Sequence, residues 1–324
     1  MASISSAIKH IKLLDGGFAT ELVNLGFQLD DDPLWSSRVL ATNPQSIVEV
    51  HKSYLMSGSD IITTASYQAS VEGFEKYLNA SVEEAEKLIG SSVSLAIQAC
   101  ENFWSQYHIQ MELAGKTKPL VAGSVGPYGA VLHDGSEYTG NYVDNMTLEQ
   151  LMAWHRPRIR CLVEAGCDIL AFETIPAAKE GIALLKLLNE FPEAKAWLSF
   201  SCQDPHKLAH QESLEASVKS CLAVAPQHQL LAIGVNCCPP QYVQSLLSDI
   251  QLVRQKLPLL AYPNSGEKWE AQKGWTSKCE SQPIHYFLED WIDLGVHYIG
   301  GCCRTTPYHI RNIAETLQTL ASKT

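Results

Sequence analysis

No run of about 18 apolar residues occurs in the 324-residue chain, so no membrane-spanning helix is expected. The opening stretch, MASISSAIKHIKLLDGG, lacks a continuous apolar core and a small-residue cleavage site, so no secretory signal is expected. The closing ASKT is not a peroxisomal SKL address. These absences make the cytoplasm the expected compartment, where thiols stay reduced. Positive charge is scarce: 24 Lys and Arg stand against 35 Asp and Glu, a formal net charge of -11. Without a basic surplus, neither nucleic acid nor an anionic membrane is expected as partner, while a cationic substrate is compatible. No Walker loop is present, and GSVGPYG (123–129) does not have GxGxxG spacing, so phosphate binding has no support. HKLAH (206–210) lacks the glutamate of HExxH and reads as surface. The glycosylation sequons at Asn79 and Asn145 read as chance matches in a cytoplasmic chain. No linker, low-complexity tract or charge block divides the chain, so residues 1–324 are expected to form one domain.

What the chain does have is a regular alternation. Eight short apolar runs fall at 11–17, 59–67, 118–129, 167–176, 194–202, 230–237, 258–266 and 296–303. They are nearly continuous in apolar residues, the pattern of parallel strands buried on both faces. Helical patterns lie between them. Two open with capping boxes, SVEE at 81–84 and TLEQ at 147–150. Eight β-then-α units predict a single-domain (β/α)8 TIM barrel, with a doubly wound open sheet as the alternative. Almost every run ends in polar or small residues, including DGG, FETIP, NCC and GGCC. In such barrels the C-terminal strand ends carry the active site, which favours the barrel.

Ten cysteines in a reduced chain serve packing, metal binding or catalysis. Cys237 and Cys238 end the sixth run, and Cys302 and Cys303 end the eighth. In a barrel one strand separates the two pairs, so their backbones lie about 10 Å apart and their side chains can share an ion. Thiolates favour Zn2+ over magnesium or calcium. Four thiolates make a closed structural site, and three leave a position open for substrate. Counting cysteines does not decide between these. A closed four-thiolate zinc would make the barrel a binding or scaffold protein. Adjacent side chains on a strand face opposite ways, so Cys302 and Cys303 can share an ion only if the backbone leaves the extended form there. Gly300 and Gly301 permit that through unusual dihedrals or close approach.

The stretches DGGFATEL (15–22), DPLWS (32–36), TTASYQA (63–69), GSVGPYGA (123–130), DGSEY (134–138), FETIP (172–176), GVNC (234–237), YPNSGE (262–267) and GGCCRTTP (300–307) together resemble the homocysteine S-methyltransferases. The likeness runs over nearly the whole chain and is greatest to the branch using S-methylmethionine or S-adenosylmethionine. It implies a catalytic zinc, one per chain, held by Cys237, Cys302 and Cys303, with Cys238 outside the ligand set. It implies that homocysteine lies against Asp15, Gly16, Gly17 and Glu173. The two carboxylates would face its ammonium, and the glycine N–H groups its carboxylate. Methyl transfer from the sulfonium donor then gives methionine. Trp35, Tyr67 and Tyr128 would offer aromatic faces to the sulfonium. Asn236 and Asn264 would contact substrate or brace the zinc loops. Where betaine-using relatives place a tyrosine after the second strand, this chain has Gln68, and it lacks their C-terminal extension, so betaine is not the expected donor. A selenol acceptor is chemically open. A monomer and a homo-oligomer are both compatible with the sequence.

Overall fold

The computed structural model describes residues 7–30, 32–270, 274–279 and 281–322. The extreme ends, on which part of the targeting expectation rests, lie outside this range. Eight parallel strands form the frame: β1 (Lys12–Leu13), β2 (Ile61–Thr63), β3 (Leu120–Val125), β4 (Ile169–Ile175), β5 (Ala196–Phe200), β6 (Leu230–Asn236), β7 (Leu259–Tyr262) and β8 (Val296–Ile299). From β2 to β8 each pairs with the next in sequence, and β8 pairs with β1. A single parallel bridge, Leu14 to Ile61, joins β1 to β2. Asp60 reinforces that seam: its backbone N–H donates to Leu13 O at 2.7 Å, and its side chain accepts from Leu13 N at 2.9 Å. The sheet is thus a nearly closed (β/α)8 barrel rather than an open doubly wound sheet.

The sheet separates two apolar layers. Inside it lie Leu14, Ile61, Ala122, Ala171, Trp197, Ala232 and Leu260. The three alanines leave room for the Trp197 ring, so the interior fills with side chains rather than forming a pore. Outside it, the strands pack on the helices through residues such as Phe172, Leu198, Val235 and Ile299. Burial on both faces is why the strands read as continuous apolar runs. At Gly234 an added Cβ would stand 1.9 Å from the Leu260 carbonyl oxygen, so β6 and β7 pack here only because this residue is glycine.

Both capping boxes form, Ser81 with Glu84 and Thr147 with Gln150. The first opens a helix, Val82–Leu113, longer than its apolar pattern indicates. Prolines open two further helices, Pro240–Asp249 and Pro307–Ser322. Three differences from the sequence reading bear on the site. A short helix, Phe18–Asn24, follows β1 directly. The 127–146 stretch is a chain of 3-10 turns, at Tyr128–Val131, Ser136–Tyr138 and Asn141–Asn145. An antiparallel hairpin, Glu267–Glu270 with Gly274–Cys279, follows β7 in a stretch to which the sequence assigns no element.

Candidate metal centre and active-site cavity

A cavity of about 660 Å³ opens at the C-terminal strand ends. Asp15, Gly16, Gly17, Trp35, Glu173, Cys237, Cys302 and Cys303 all line it, so the barrel brings together eight of the ten residues expected at the site. Asn236 and Asn264 stand behind the wall and hold it up.

The Sγ atoms of Cys237, Cys302 and Cys303 lie within 4.8 Å of one another, with Cys237 and Cys303 3.5 Å apart. Sulfurs sharing a tetrahedral zinc at 2.3 Å bonds sit about 3.8 Å apart, so the cluster fits such an ion with its fourth position open. The backbone that aims these sulfurs is unusual. Cys237 has φ 49° and Arg304 φ 64°, left-handed values that non-glycine residues seldom adopt. Cys302 N donates to Pro263 O at 2.7 Å, and Ser265 N to Cys303 O at 3.0 Å. Thr305 closes a turn onto Cys302 O, with its N at 3.1 Å and its Oγ1 at 2.6 Å. That turn lets two adjacent cysteines face one point. Gly300 and Gly301 contribute by close approach, not by positive φ. An added Cβ would come within 2.6 Å of the Leu14 Cβ in one case and 2.3 Å of Thr305 Oγ1 in the other.

Asn236 Nδ2 lies 3.8 Å from Cys302 Sγ, and its Oδ1 accepts from Thr174 N at 2.7 Å. Asn264 N donates to Cys238 O at 3.1 Å, and its Oδ1 accepts from Gly266 N at 3.0 Å. In the bare cluster, hydrogen bonds with Cys237 and Cys303, then burial, push the Cys302 thiol up, and the same bonding holds Cys303 down. A metal would therefore have to displace protons on entry.

Cys238 faces the other way. Its side chain is fully buried in the outer apolar layer, in the same cluster as Cys202, and stands outside the sulfur group. The left-handed turn at Cys237, just past the end of β6, sends its sulfur into the cavity and leaves Cys238 in the outer layer. The closed four-thiolate alternative is corrected accordingly: among the described residues three sulfurs converge, not four.

Three carboxylates share the cavity. Asp15 Oδ2 accepts from Thr63 N at 2.7 Å, and burial pushes its carboxyl up to about 8 against that bond. Glu173 accepts from Ser124 Oγ, and from Tyr262 Oη at 3.1 Å; burial pushes it up to about 7. Glu137, on the turn-rich stretch after β3, is also raised by burial to about 7. A cationic ligand would favour the ionised form of all three.

The wall opposite the strand ends is built by that stretch. Tyr138 Oη approaches Cys237 Sγ at 3.6 Å. Trp35 and Tyr67 meet edge-on in the cavity lining, ring centroids 6.3 Å apart. A buried polar network supports it from behind. Glu180 accepts from Tyr128 N at 2.8 Å, from His155 Nε2 at 2.9 Å, and from Tyr142 Oη. Arg158 Nη2 donates to His155 Nδ1 at 2.8 Å and to Gly126 O at 2.5 Å, and Nη1 to Tyr67 O at 3.0 Å. Arg158 has only donors, so His155 Nδ1 accepts and Nε2 carries the ring proton. Burial lowers His155 to about 4, so the ring is neutral.

Two expectations change. Tyr128 packs edge-on against Trp154, centroids 5.0 Å apart, and does not line the cavity; Tyr138 does. Gly17 N already donates to Thr305 O at 2.9 Å, which leaves Gly16 as the glycine N–H with no protein acceptor among the described residues. Thr63, Ser124, Glu137 and Tyr138 were not singled out from sequence. Glu137 and Tyr138 sit within DGSEY, so the signal was present but carried no periodicity to give it a role.

A family model described as homocysteine S-methyltransferase matches residues 12–317. A betaine-homocysteine S-methyltransferase of Drosophila melanogaster is 42% identical, over 97% of this chain and 96% of its own. A selenocysteine Se-methyltransferase of Brassica oleracea var. italica is also 42% identical, over 94% of this chain and 88% of its own. Among solved structures, the metallated homocysteine methyltransferase MmuM of Escherichia coli is similar at a TM-score of 0.80 and 39% identity, over 94% of this chain and 96% of that one.

Proposed function

The chain belongs to the homocysteine S-methyltransferase family and is a methyltransferase of homocysteine; we propose that its donor is a sulfonium, S-methylmethionine or S-adenosylmethionine, and its product methionine. The observation that carries this reading is the convergence of three sulfurs from β6 and β8 on a cavity lined by carboxylates and aromatic rings. That set suits a soft metal, an amino-acid thiol and a cationic methyl group together. A relative named for betaine stands at the same 42% identity as one named for selenocysteine, so the donor assignment rests on this chain's own residues.

Zn2+ held by Cys237, Cys302 and Cys303, one per chain, would supply the Lewis acidity that makes an incoming thiol a thiolate at neutral pH. Asp15 and Glu173 bind the homocysteine ammonium, and Gly16 N–H takes its carboxylate. Asn236 holds the Cys302 sulfur in place from behind. Trp35 and Tyr67 present π faces to the sulfonium, an attraction that grows when water is excluded. Transfer turns a thiolate and a sulfonium into two neutral thioethers. Charge disappears in that step, and the buried cavity favours it for that reason.

The test is a methyl-transfer assay of zinc-loaded protein with homocysteine and each donor in turn. Methionine should form from S-methylmethionine or S-adenosylmethionine; full activity after complete zinc removal would overturn the reading. A selenol acceptor is the second reading, favoured by the identity to the Se-methyltransferase. Competition between homocysteine and selenocysteine in one assay separates the two. We place residues 1–324 in one catalytic domain and the enzyme in the cytoplasm, as a monomer or homo-oligomer acting on small molecules. No helix among the described residues is long and apolar enough to cross a membrane.

A further inference from the structure

The turn-rich wall of the cavity has hydrogen-bonding capacity that no protein group meets. Gln68 lines the cavity and is only 8% exposed. Its Nε2 donates to Ala130 O at 2.6 Å, which fixes the amide's orientation. Its Oε1 is then buried without a partner. Gly129, next to Ala130, packs so tightly that an added Cβ would lie 2.7 Å from Glu137 N. Gln68, residues 129–130 and Glu137 therefore make one continuous surface. The Glu137 carboxylate lines the same cavity; its own backbone N–H donates to it, but among the described residues no side chain does. Asp15 and Glu173 differ in this respect, since Thr63, Ser124 and Tyr262 already donate to them.

One acceptor without a partner and a carboxylate met only by its own backbone, on one wall, call for a ligand that brings N–H groups. The reaction proposed above brings two amino acids into one cavity, hence two ammonium groups. Asp15 and Glu173 serve the first. We propose that Gln68 Oε1 and the Glu137 carboxylate receive the α-ammonium group of the methyl donor, so that the enzyme selects sulfonium amino acids over donors with no N–H. This rests on the sulfonium-donor reading and deepens it. A primary ammonium offers three N–H donors beside the Trp35 and Tyr67 rings. A trimethylammonium or a dimethylsulfonio carboxylate offers none, and its binding leaves Gln68 Oε1 unmet and the Glu137 carboxylate desolvated without a charged partner. Sites built to hydrogen-bond a substrate group reject analogues lacking it by large factors.

The experiment compares S-methyl-L-methionine with its N-acetyl derivative, dimethylsulfoniopropionate and betaine, on the zinc-loaded full chain. The wild type should prefer the free amine by at least about 100-fold in kcat/KM. In Gln68→Leu and in Glu137→Gln, KM for S-methylmethionine should rise at least about 10-fold, with KM for homocysteine and zinc content unchanged. The preference over the N-acetyl compound should shrink in proportion. Equal use of all four donors by the wild type, or variants that keep the wild-type preference, would overturn the subsite. Calorimetric binding of S-methylmethionine and its N-acetyl derivative reads the same preference without turnover. Absence of transfer from every sulfonium therefore counts against the proposed reaction, and equal binding of the two compounds against the subsite.

Discussion

The two walls of the cavity are built on different principles. On one side, β6 and β8 deliver the sulfurs, and backbone bonds between strand ends fix them: Cys237 N to Tyr262 O at 3.2 Å, Cys302 N to Pro263 O at 2.7 Å. On the other side, irregular turns carry Glu137 and Tyr138 and are held from behind by side chains, Glu180 and Arg158. The first wall cannot move without the barrel moving. The second is as firm as a few buried polar contacts make it. In the reading proposed above, the sulfurs and the homocysteine contacts Asp15 and Glu173 thus sit on the frame, and donor recognition sits on a replaceable panel. A relative named for betaine, a different donor, at 42% identity is what such a division permits.

The largest test of that contrast lies on the frame. Cys302→Ala should abolish metal binding and lower transfer at least about 1,000-fold, since the nucleophile is then no longer activated. Cys238→Ala, one residue from a ligand but facing the outer layer, should keep the metal and cost about 1 kcal/mol of stability. Metal analysis beside thermal denaturation separates the two. On the panel, Glu180→Gln leaves Arg158 without its counter-charge and should cost about 3 kcal/mol. The donor KM should rise while homocysteine KM holds, which steady-state kinetics and denaturant melts read together.

A pH titration tests the cavity as a whole. Asp15 and Glu173 keep protons in the folded chain that the unfolded chain has released. Substrate-free stability should therefore fall as pH rises past their ordinary values, 3.8 and 4.5, and level off above about 8 and about 7. Asp15→Asn should flatten that slope in melts run from acid to neutral pH. The smallest effect belongs far from both walls. Ser81→Ala removes a capping box and should cost about 1 kcal/mol, with kinetic constants unchanged.

The frame was legible in the sequence because burial on both faces leaves continuous apolar runs, and because each run stops at polar residues where the barrel opens. The cysteines were legible as a group because strand order converts a long separation in sequence into adjacency. The panel was not. Glu137 lies in 3-10 turns with no period to read. Arg158 and Glu180 look like surface charges on helices, yet they are buried together and meet through His155. The hairpin after β7 lacks a clean alternation, so the seventh run read from the sequence stops at residue 266 and the hairpin's strands beyond it go unread. Cys238 shows the limit from the other direction, since only the direction of a side chain separates it from its neighbour.

The three sulfurs come from strands that are not neighbours, and Cys237 reaches its partners only in a left-handed conformation held by surrounding contacts. No fragment of the chain made before β8 can hold the ion as the finished barrel does. A metal held by all three sulfurs, as proposed above, would thus be held in full only once β8 has joined the barrel. Zinc content measured on a preparation would then count the barrels that have closed.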